Sequence, residues 1–456
     1  MQEETMQPTY FIPTIDYCND NLSNVLKIRN YKKKIGEGDD NVNEFNIVSY
    51  KKEELSGSDD KLGPVYNLGP SEYTRLGHIR SLIFSQSGEL ICFTPPKSVS
   101  YDTFTSKYDY NNDNIIIEEF IEGTMISVFY NKDTNTWDIS TKSFLGANNH
   151  FFKSDGVPMT FHQMFDEICS QYGFNYNNES ILDKTLCYTF IIQHPDNRIV
   201  TKFTNYGLTL VGLFKIQKKD DIGWNVYEYN KQFIANHLFD INTKLLYPIK
   251  FAGQFMKIGA VGHNLSWAVQ MPGQLEYTNF GYSSLCDHFT NHVPATVMGC
   301  VIKNMITGER TKIRNPKFEY IRELRGNQPK LEFHYLELRK NGRLPEFLQI
   351  YPEYSSKMYG YQQKIHSFTN QLYNKYISCY IKKEGPLHQY PKEYRTHMFN
   401  IHRDVYISKL QPNKQSIQKH NVIQYVNDLP ERLLMYCLNL KHRPENNNQH
   451  EQQVQG

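Results

Sequence analysis

No apolar run in this chain approaches the roughly 18–20 residues that a membrane-crossing helix needs, so no membrane insertion is expected. The opening MQEETMQPTY is acidic and polar, unlike a secretion signal. There is no CxxC pair: the eight cysteines, at 18, 92, 169, 187, 286, 300, 379 and 437, come no closer together than 14 residues. That spacing excludes a compact zinc site and, in a chain of this size, argues against a disulfide framework. The thiols read as reduced core residues of an intracellular protein. His397, His402 and His420 lack a metal-ligand arrangement, so no metal site is expected. One-sided charge is missing too. The 50 Lys/Arg and 48 Asp/Glu leave a formal net charge of +2, and no global basic field announces a nucleic acid. There is no internal repeat.

What is present belongs to a folded protein. With 39% hydrophobic and 14% aromatic residues, the chain is too rich in rings to be disordered. At 456 residues it exceeds what one core organises, so two or three domains are expected. The expected class is α+β, with antiparallel sheets followed by a smaller helical domain. Residues 1–75 read as an N-terminal extension packing on the core, with surface loops in KKKIGEGDDNVNE and KKEELSGSDDK. Residues 76–325 form the main domain, 326–443 the helical one, and 444–456 (PENNNQHEQQVQG) a disordered tail.

Hydrophobic periodicity places the elements. Ser81–Phe84 and Leu90–Phe93 read as a hairpin about Gln86–Gly88, closed by Pro95 and Pro96. Ile115–Glu119, Met125–Tyr130 and Trp137–Thr141 read as strands of a second hairpin region, and 185–192 and 207–216 as further strands. Thr296–Asn304 and Glu309–Arg314 form a late hairpin. Residues 157–173 carry Phe161, Met164, Phe165 and Ile168 at helical spacing, and another helix is expected within Asn225–Phe239. Beyond Tyr335, helices are expected at 335–340, 363–382, 394–410, 416–426 and 430–440, with breaks at Pro345, Pro352, Pro386 and Pro412.

Six short motifs occur in order: RSLIF (Arg80–Phe84), EFIEGT (Glu119–Thr124), STKS (Ser140–Ser143), YTFIIQHPDNRIV (Tyr188–Val200), MGCVI (Met298–Ile302) and KIR (Lys312–Arg314). Each is weak alone. As an ordered set over roughly residues 75–325 they resemble the adenylyltransferase domain of the T4-type RNA ligase 1 family, one of the covalent nucleotidyltransferases. The resemblance implies a nucleotidyltransferase (ligase adenylation-domain) fold. It also implies a chemistry in which a lysine amine attacks the α-phosphate of a nucleoside triphosphate, carboxylates hold a metal, and basic residues neutralise phosphoryl charge.

Carried over residue by residue, that chemistry is interrupted. Phe120 stands where the attacking lysine belongs, and a benzyl group has no lone pair to offer. Thr189 and Met298 stand at two glutamate positions, and Arg314 replaces the second lysine of KxK. Arg80, Glu119, Glu122, Gly123, Lys142, Asn197, Arg198 and Lys312 remain. Of these, Arg80, Glu119, Glu122, Gly123, Lys142, Arg198 and Lys312, with Arg314, are the candidates for nucleotide or phosphate binding. Three also have plain structural readings: Gly123 as a tight turn, Lys142 as a solvated strand lysine, and Arg198 as a bridge to Glu122. Lys107 and Lys142 are the nearest amines that could replace the missing one.

Two other stretches have nucleic-acid character. In residues 312–354, Arg322, Arg325, Lys330, Arg339, Lys340 and Arg343 mingle with Phe318, Tyr320, Phe333 and Tyr335. Glu319, Glu323, Glu332 and Glu337 are present to pair with them, which favours a packed linker. Residues 371–443 hold 12 Lys/Arg against 5 Asp/Glu, among them Lys375, Lys382, Lys383, Lys392, Arg395, Lys409, Lys414 and Lys419, beside several tyrosines. The helical domain is therefore a candidate surface for RNA or for a protein partner. The expectation is a catalytically inactive RNA-ligase-like protein that binds RNA or acts as a scaffold, without a cofactor. A structural virion protein that binds neither RNA nor nucleotide is one alternative. An active ligase or capping-type enzyme with a displaced lysine is the other, and only it calls for ATP and Mg2+. The Asn/Lys/Tyr/Ile-rich composition fits an AT-rich genome such as a large DNA virus, so the expected location is cytoplasm or virion.

Overall fold

The computed structural model describes residues 7–14, 25–34, 42–51, 65–66, 74–112, 114–150, 159–177, 182–229, 281–328 and 330–440. The chain divides into two compact units. One is made of residues 1–150 and 158–323, the other of 151–157 and 324–456. The tail 444–456 and most of the expected 225–239 helix lie outside the described residues; Asn225 itself is in a strand.

The strands of the first unit run in chain order as β1 (Tyr10–Pro13), β2 (Leu26–Lys34), β3 (Val42–Tyr50), β4 (Val65–Tyr66), β5 (Thr74–Arg75), β6 (Leu82–Phe84), β7 (Leu90–Phe93) and β8 (Ile115–Glu119). They continue as β9 (Thr124–Asn131), β10 (Thr136–Ser140), β11 (Leu186–Gln193), β12 (Gly207–Lys219), β13 (Gly223–Glu228), β14 (Gly299–Asn304) and β15 (Arg310–Arg314). They form a six-stranded sheet in the order β1-β13-β12-β11-β9-β10, a four-stranded sheet β2-β3-β6-β7, a three-stranded sheet β15-β14-β8, and the short pair β4-β5. All of these pairings are antiparallel. The α+β expectation with antiparallel sheets holds.

Strand pairing adds two features to the sequence reading. Residues 1–75 do more than pack on a core: β1 extends the six-stranded sheet beside β13, and β3 pairs with β6. Met125–Tyr130 returns through Trp137–Thr141 as the hairpin expected from the sequence, whereas Ile115–Glu119, for which the sequence named no partner, crosses to β14, with Cys300 opposite Glu119. Alternation detects a strand but does not name its partner.

Alternation also builds the cores. Inward residues of the six- and four-stranded sheets, among them Phe45, Ile47, Leu82, Phe84, Phe93, Phe129, Phe214 and Trp224, form one cluster. Each such large side chain taken from water contributes about 1.5–3 kcal/mol. The outer face of the six-stranded sheet is covered by a helix at Phe161–Tyr172, whose Phe165 meets Phe190 at a ring distance of 6.3 Å. That helix starts at a Thr160–Gln163 capping box and stops at left-handed Gly173. The three-stranded sheet buries one face, with Ile117, Cys300, Ile302 and Ile313, against Phe104, Leu285, Phe289 and Val293. Phe104 comes from α1 (Tyr101–Lys107), and Leu285 from a short helix at Tyr282–Asp287.

The second unit is helical. Its elements include Leu331–Lys340, Leu344–Ile350, Ser355–Tyr376 with a π-helical extension Ile377–Ile381, Lys392–Asn400 with a π-helical extension Ile401–Leu410, Lys419–Asp428 and Glu431–Asn439. The longest helix buries Met358, Ile365, Phe368, Leu372 and Tyr376, a stripe at helical spacing. Among the described residues no helix is long and apolar enough to cross a membrane.

Candidate functional site

The three-stranded sheet positions the site because its two faces differ. Residues paired across strands share a face. Glu119, Cys300 and Ile313 therefore lie together on the apolar face, with Ile117 and Ile302 next along it. The opposite face carries Glu118 with Lys312, and Phe120 beside Arg314: Phe120 N–H donates to Gly299 O at 2.9 Å, and Gly299 pairs with Arg314. Arg310 and Lys303 lie at the far end of the same face.

A buried ion cluster ties this charged face to the six-stranded sheet. Glu228, at the end of β13, takes Lys303 and Arg310 as ion partners, and Tyr10 Oη donates to it at 2.8 Å. Burial pushes the Glu228 carboxyl up, but Lys303 and Arg310 outweigh it and hold the acid down at about 2. Nothing local in the sequence announces the cluster, since its members come from strands up to 300 residues apart.

Beside it sits the cationic cluster. The Lys312 ammonium lies 4.0 Å from the centre of the Phe120 ring, and the Arg314 guanidinium 5.5 Å from it. The ring face where an attacking amine was expected thus supports two cations. Burial pushes the Lys312 amine well below its ordinary value, and Arg80, Arg314 and Arg310 push it further. Arg80 donates to Pro95 O at 3.2 Å. Burial lowers its pKa, Tyr50 opposes the fall, and Arg310 and Arg314 add to it. Lys142 and Lys97 lie 5.2 and 6.0 Å from the Tyr50 ring. Arg80, Lys142, Lys312 and Arg314, read from three separate motifs, therefore share one neighbourhood. Arg314 also pairs with Glu319 at 2.9 Å.

The remaining candidates have different places. Glu119 faces the apolar side, and burial raises its carboxyl to about 7. The carboxylate on the cationic side is Glu118, which strict alternation from Phe120 would have indicated. Glu122 is buried and accepts from the backbone N–H of Val200 at 2.6 Å and of Thr201 at 3.0 Å, so it fixes the loop after β11. Gly123 has φ +146°, and a Cβ there would meet Ile192 O at 2.3 Å, so its smallness serves backbone packing against β11. Arg198 donates from Nε to Val200 O at 3.2 Å. Asn197 donates to Thr124 Oγ1 at 2.8 Å. Lys107 pairs with Glu309 at 3.2 Å, at the Ile115–Asn304 end of the sheet. Phe120 is at the other end, about 15 Å along the strands.

A divalent cation beside phosphate needs hard, charged oxygen ligands. The structure offers the neutral hydroxyl of Thr189 and the thioether of Met298, Glu122 is committed to two amides, Glu119 is on the far face, and Glu118 is a single carboxylate set among the cations. These residues do not fit Mg2+. Among the described residues no group of three His, Cys, Asp or Glu could hold a metal.

The basic-aromatic stretch 312–354 is largely engaged internally. Glu319 pairs with Arg314 and Arg322, Glu431 with Lys340, and Glu346 with Arg343. In the second unit, His397 is buried between Tyr425 Oη at 2.9 Å and Cys437 Sγ at 3.0 Å. His402 stacks on Tyr380 with ring centres 4.0 Å apart.

No family model and no curated protein matches the chain. Among solved structures, an archaeal ATP-dependent RNA ligase of form 1 is similar at 11% identity and a TM-score of 0.33, covering 73% of this chain and 67% of its own. A variant of Naegleria gruberi RNA ligase with ATP and Mn is similar at 12% identity and a TM-score of 0.27, covering 66% of this chain and 98% of its own. At TM-scores this low, function has to be argued from the site's own geometry.

Proposed function

We propose that this chain is a nucleotidyltransferase-shaped protein of RNA-ligase type that binds RNA through its phosphates and has lost covalent nucleotidyl transfer. The observation that carries the reading is the ring of Phe120 under Lys312 at 4.0 Å and Arg314 at 5.5 Å. The cations expected to grip phosphate are gathered there, while the position expected to attack it holds a ring. Arg80 and Lys142 extend the cluster, so its cations outnumber the carboxylates beside it, Glu118 on the same face and Glu319 paired with Arg314. Several cations of like sign in one place repel one another, and a polyanion relieves that repulsion. A polynucleotide backbone supplies such charges at regular intervals and needs no chemistry from residue 120.

The test is RNA binding by the full chain over a salt series. Binding should weaken steeply with salt, because phosphate contacts release counterions. Replacing Lys312 or Arg314 by methionine should reduce the salt slope by about one each. Salt-independent binding, or no binding at low salt, would overturn the proposal.

A further inference from the structure

Two thiols meet where the four-stranded sheet packs on the six-stranded one. Cys92 is in β7, opposite Ile83 of β6, and Cys187 is in β11, opposite Phe214 of β12. Both belong to the cluster that holds Phe93, Phe129 and Phe214. Their sulfurs are 3.3 Å apart, and Cys92 is fully buried while Cys187 is 2% exposed. At 95 residues apart in sequence, the pair carries no motif. Cys187 Sγ also donates to Phe93 O at 3.5 Å, which holds it against the residue next to Cys92.

Packing alone would be served by any small apolar side chain at these two positions. What a facing pair of cysteines adds is a covalent option. A disulfide sets its sulfurs about 2.0 Å apart, so closure asks the two side chains for a shift on the order of 1 Å. The bond would join β7 to β11, strands of different sheets. It would also close a loop of 95 residues, and a cross-link over so long a loop removes much of the freedom of the unfolded chain. Cys92 lies three residues before Pro95, whose carbonyl accepts from Arg80, so the same bond would tether the segment that holds that guanidinium.

We infer that Cys92 and Cys187 are a latent disulfide, joined by a two-electron oxidation that staples the two sheets together and shielded from oxidants while the fold stays closed. The oxidant is a small-molecule disulfide of the glutathione type. The thiolate of one cysteine attacks it, forming a mixed disulfide and releasing one small thiol. The thiolate of the other cysteine then attacks the protein sulfur, forming the Cys92–Cys187 bond and releasing the second small thiol. The protein gives up two electrons and two protons, and the small disulfide takes them. Each attack needs a thiolate. Burial pushes the Cys92 thiol well above its ordinary range, and Cys187 beside it adds to the rise. The closed core keeps the pair protonated and out of reach, so oxidation follows local opening. The inference does not depend on the RNA reading.

The test incubates the reduced full chain with oxidised glutathione in a urea series that stays below the unfolding midpoint. Free thiols are then alkylated and the peptides mapped without reduction. The expected result is a peptide pair linked through Cys92 and Cys187, formed about tenfold faster near the midpoint than without urea. The linked protein should melt about 5 °C or more above the reduced one, and dithiothreitol should abolish the difference. Cys187→Ala should give neither the linked pair nor the shift in melting. Thiols that stay free up to the midpoint, glutathione left on Cys92 or Cys187, linkage of either to a different cysteine, or a linked protein that melts no higher than the reduced one would overturn the inference. An oxidation rate that ignores urea would overturn the shielding. If Cys187→Ala fails to fold, the peptide map and the melting comparison of the parent chain still decide.

Discussion

Glu119→Gln tests which face of the three-stranded sheet each acidic residue occupies. Glu119 pairs across β14 with Cys300 and shares the apolar face with Ile313, and burial there raises its carboxyl from 4.5 to about 7. The sign follows from linkage. The native chain binds the Glu119 proton more tightly than the unfolded chain, so this group's contribution to stability is complete below about pH 4.5. It is lost as pH rises through about 7. Above pH 8 the folded protein carries a charged carboxylate in an apolar setting, a cost on the order of 3 kcal/mol. Glutamine keeps the shape and removes the charge. Glu119→Gln should therefore stabilise the protein by up to about 3 kcal/mol at pH 8.5 and by almost nothing at pH 4.5. Urea unfolding of both proteins at the two pH values measures this, and the other titrating groups cancel in the difference. Equal differences at both pH values, or a loss of stability at pH 8.5, would refute the placement of Glu119.

Two further substitutions test the loop that frames the site. Glu122→Ala removes the acceptor of the Val200 and Thr201 amides and leaves buried donors unpaired; unfolding should show a loss of about 2–3 kcal/mol. Gly123→Ala forces a Cβ to 2.3 Å from Ile192 O at φ +146°; denaturant titration should show a loss of about 2 kcal/mol or more, and an unchanged midpoint would contradict the close approach.

Much of the site was legible because its signal is local. RSLIF, STKS and KIR each hold a basic residue in a strand or at its end, and the order of the motifs was enough to bring Arg80, Lys142, Lys312 and Arg314 into one account. What was hidden is long-range. Glu228, Tyr10, Lys303 and Arg310 carry no motif, yet their buried ion cluster sets the charged face of the three-stranded sheet against the six-stranded one. The face of Glu119 depends on β8 pairing with β14, which periodicity within residues 115–142 cannot reveal. The role of Glu122 as a backbone acceptor needs the positions of Val200 and Thr201. The helices beyond Tyr335 were readable from their stripes, but Pro316–Arg325 and Leu344–Ile350 were not. Charged residues at 317, 319, 322, 323 and 325 masked the pattern of the first, and Pro345, read as a break, begins the second as a first-turn proline.

The most direct measurement incubates the full chain with α-labelled ATP or GTP and a divalent metal, denatures it, and asks whether label stays on the protein, while RNA binding is scored in a parallel sample. The account predicts RNA binding that falls with salt and no covalent label. A nucleotide attached to any lysine, with Lys312 the first to examine, would contradict it.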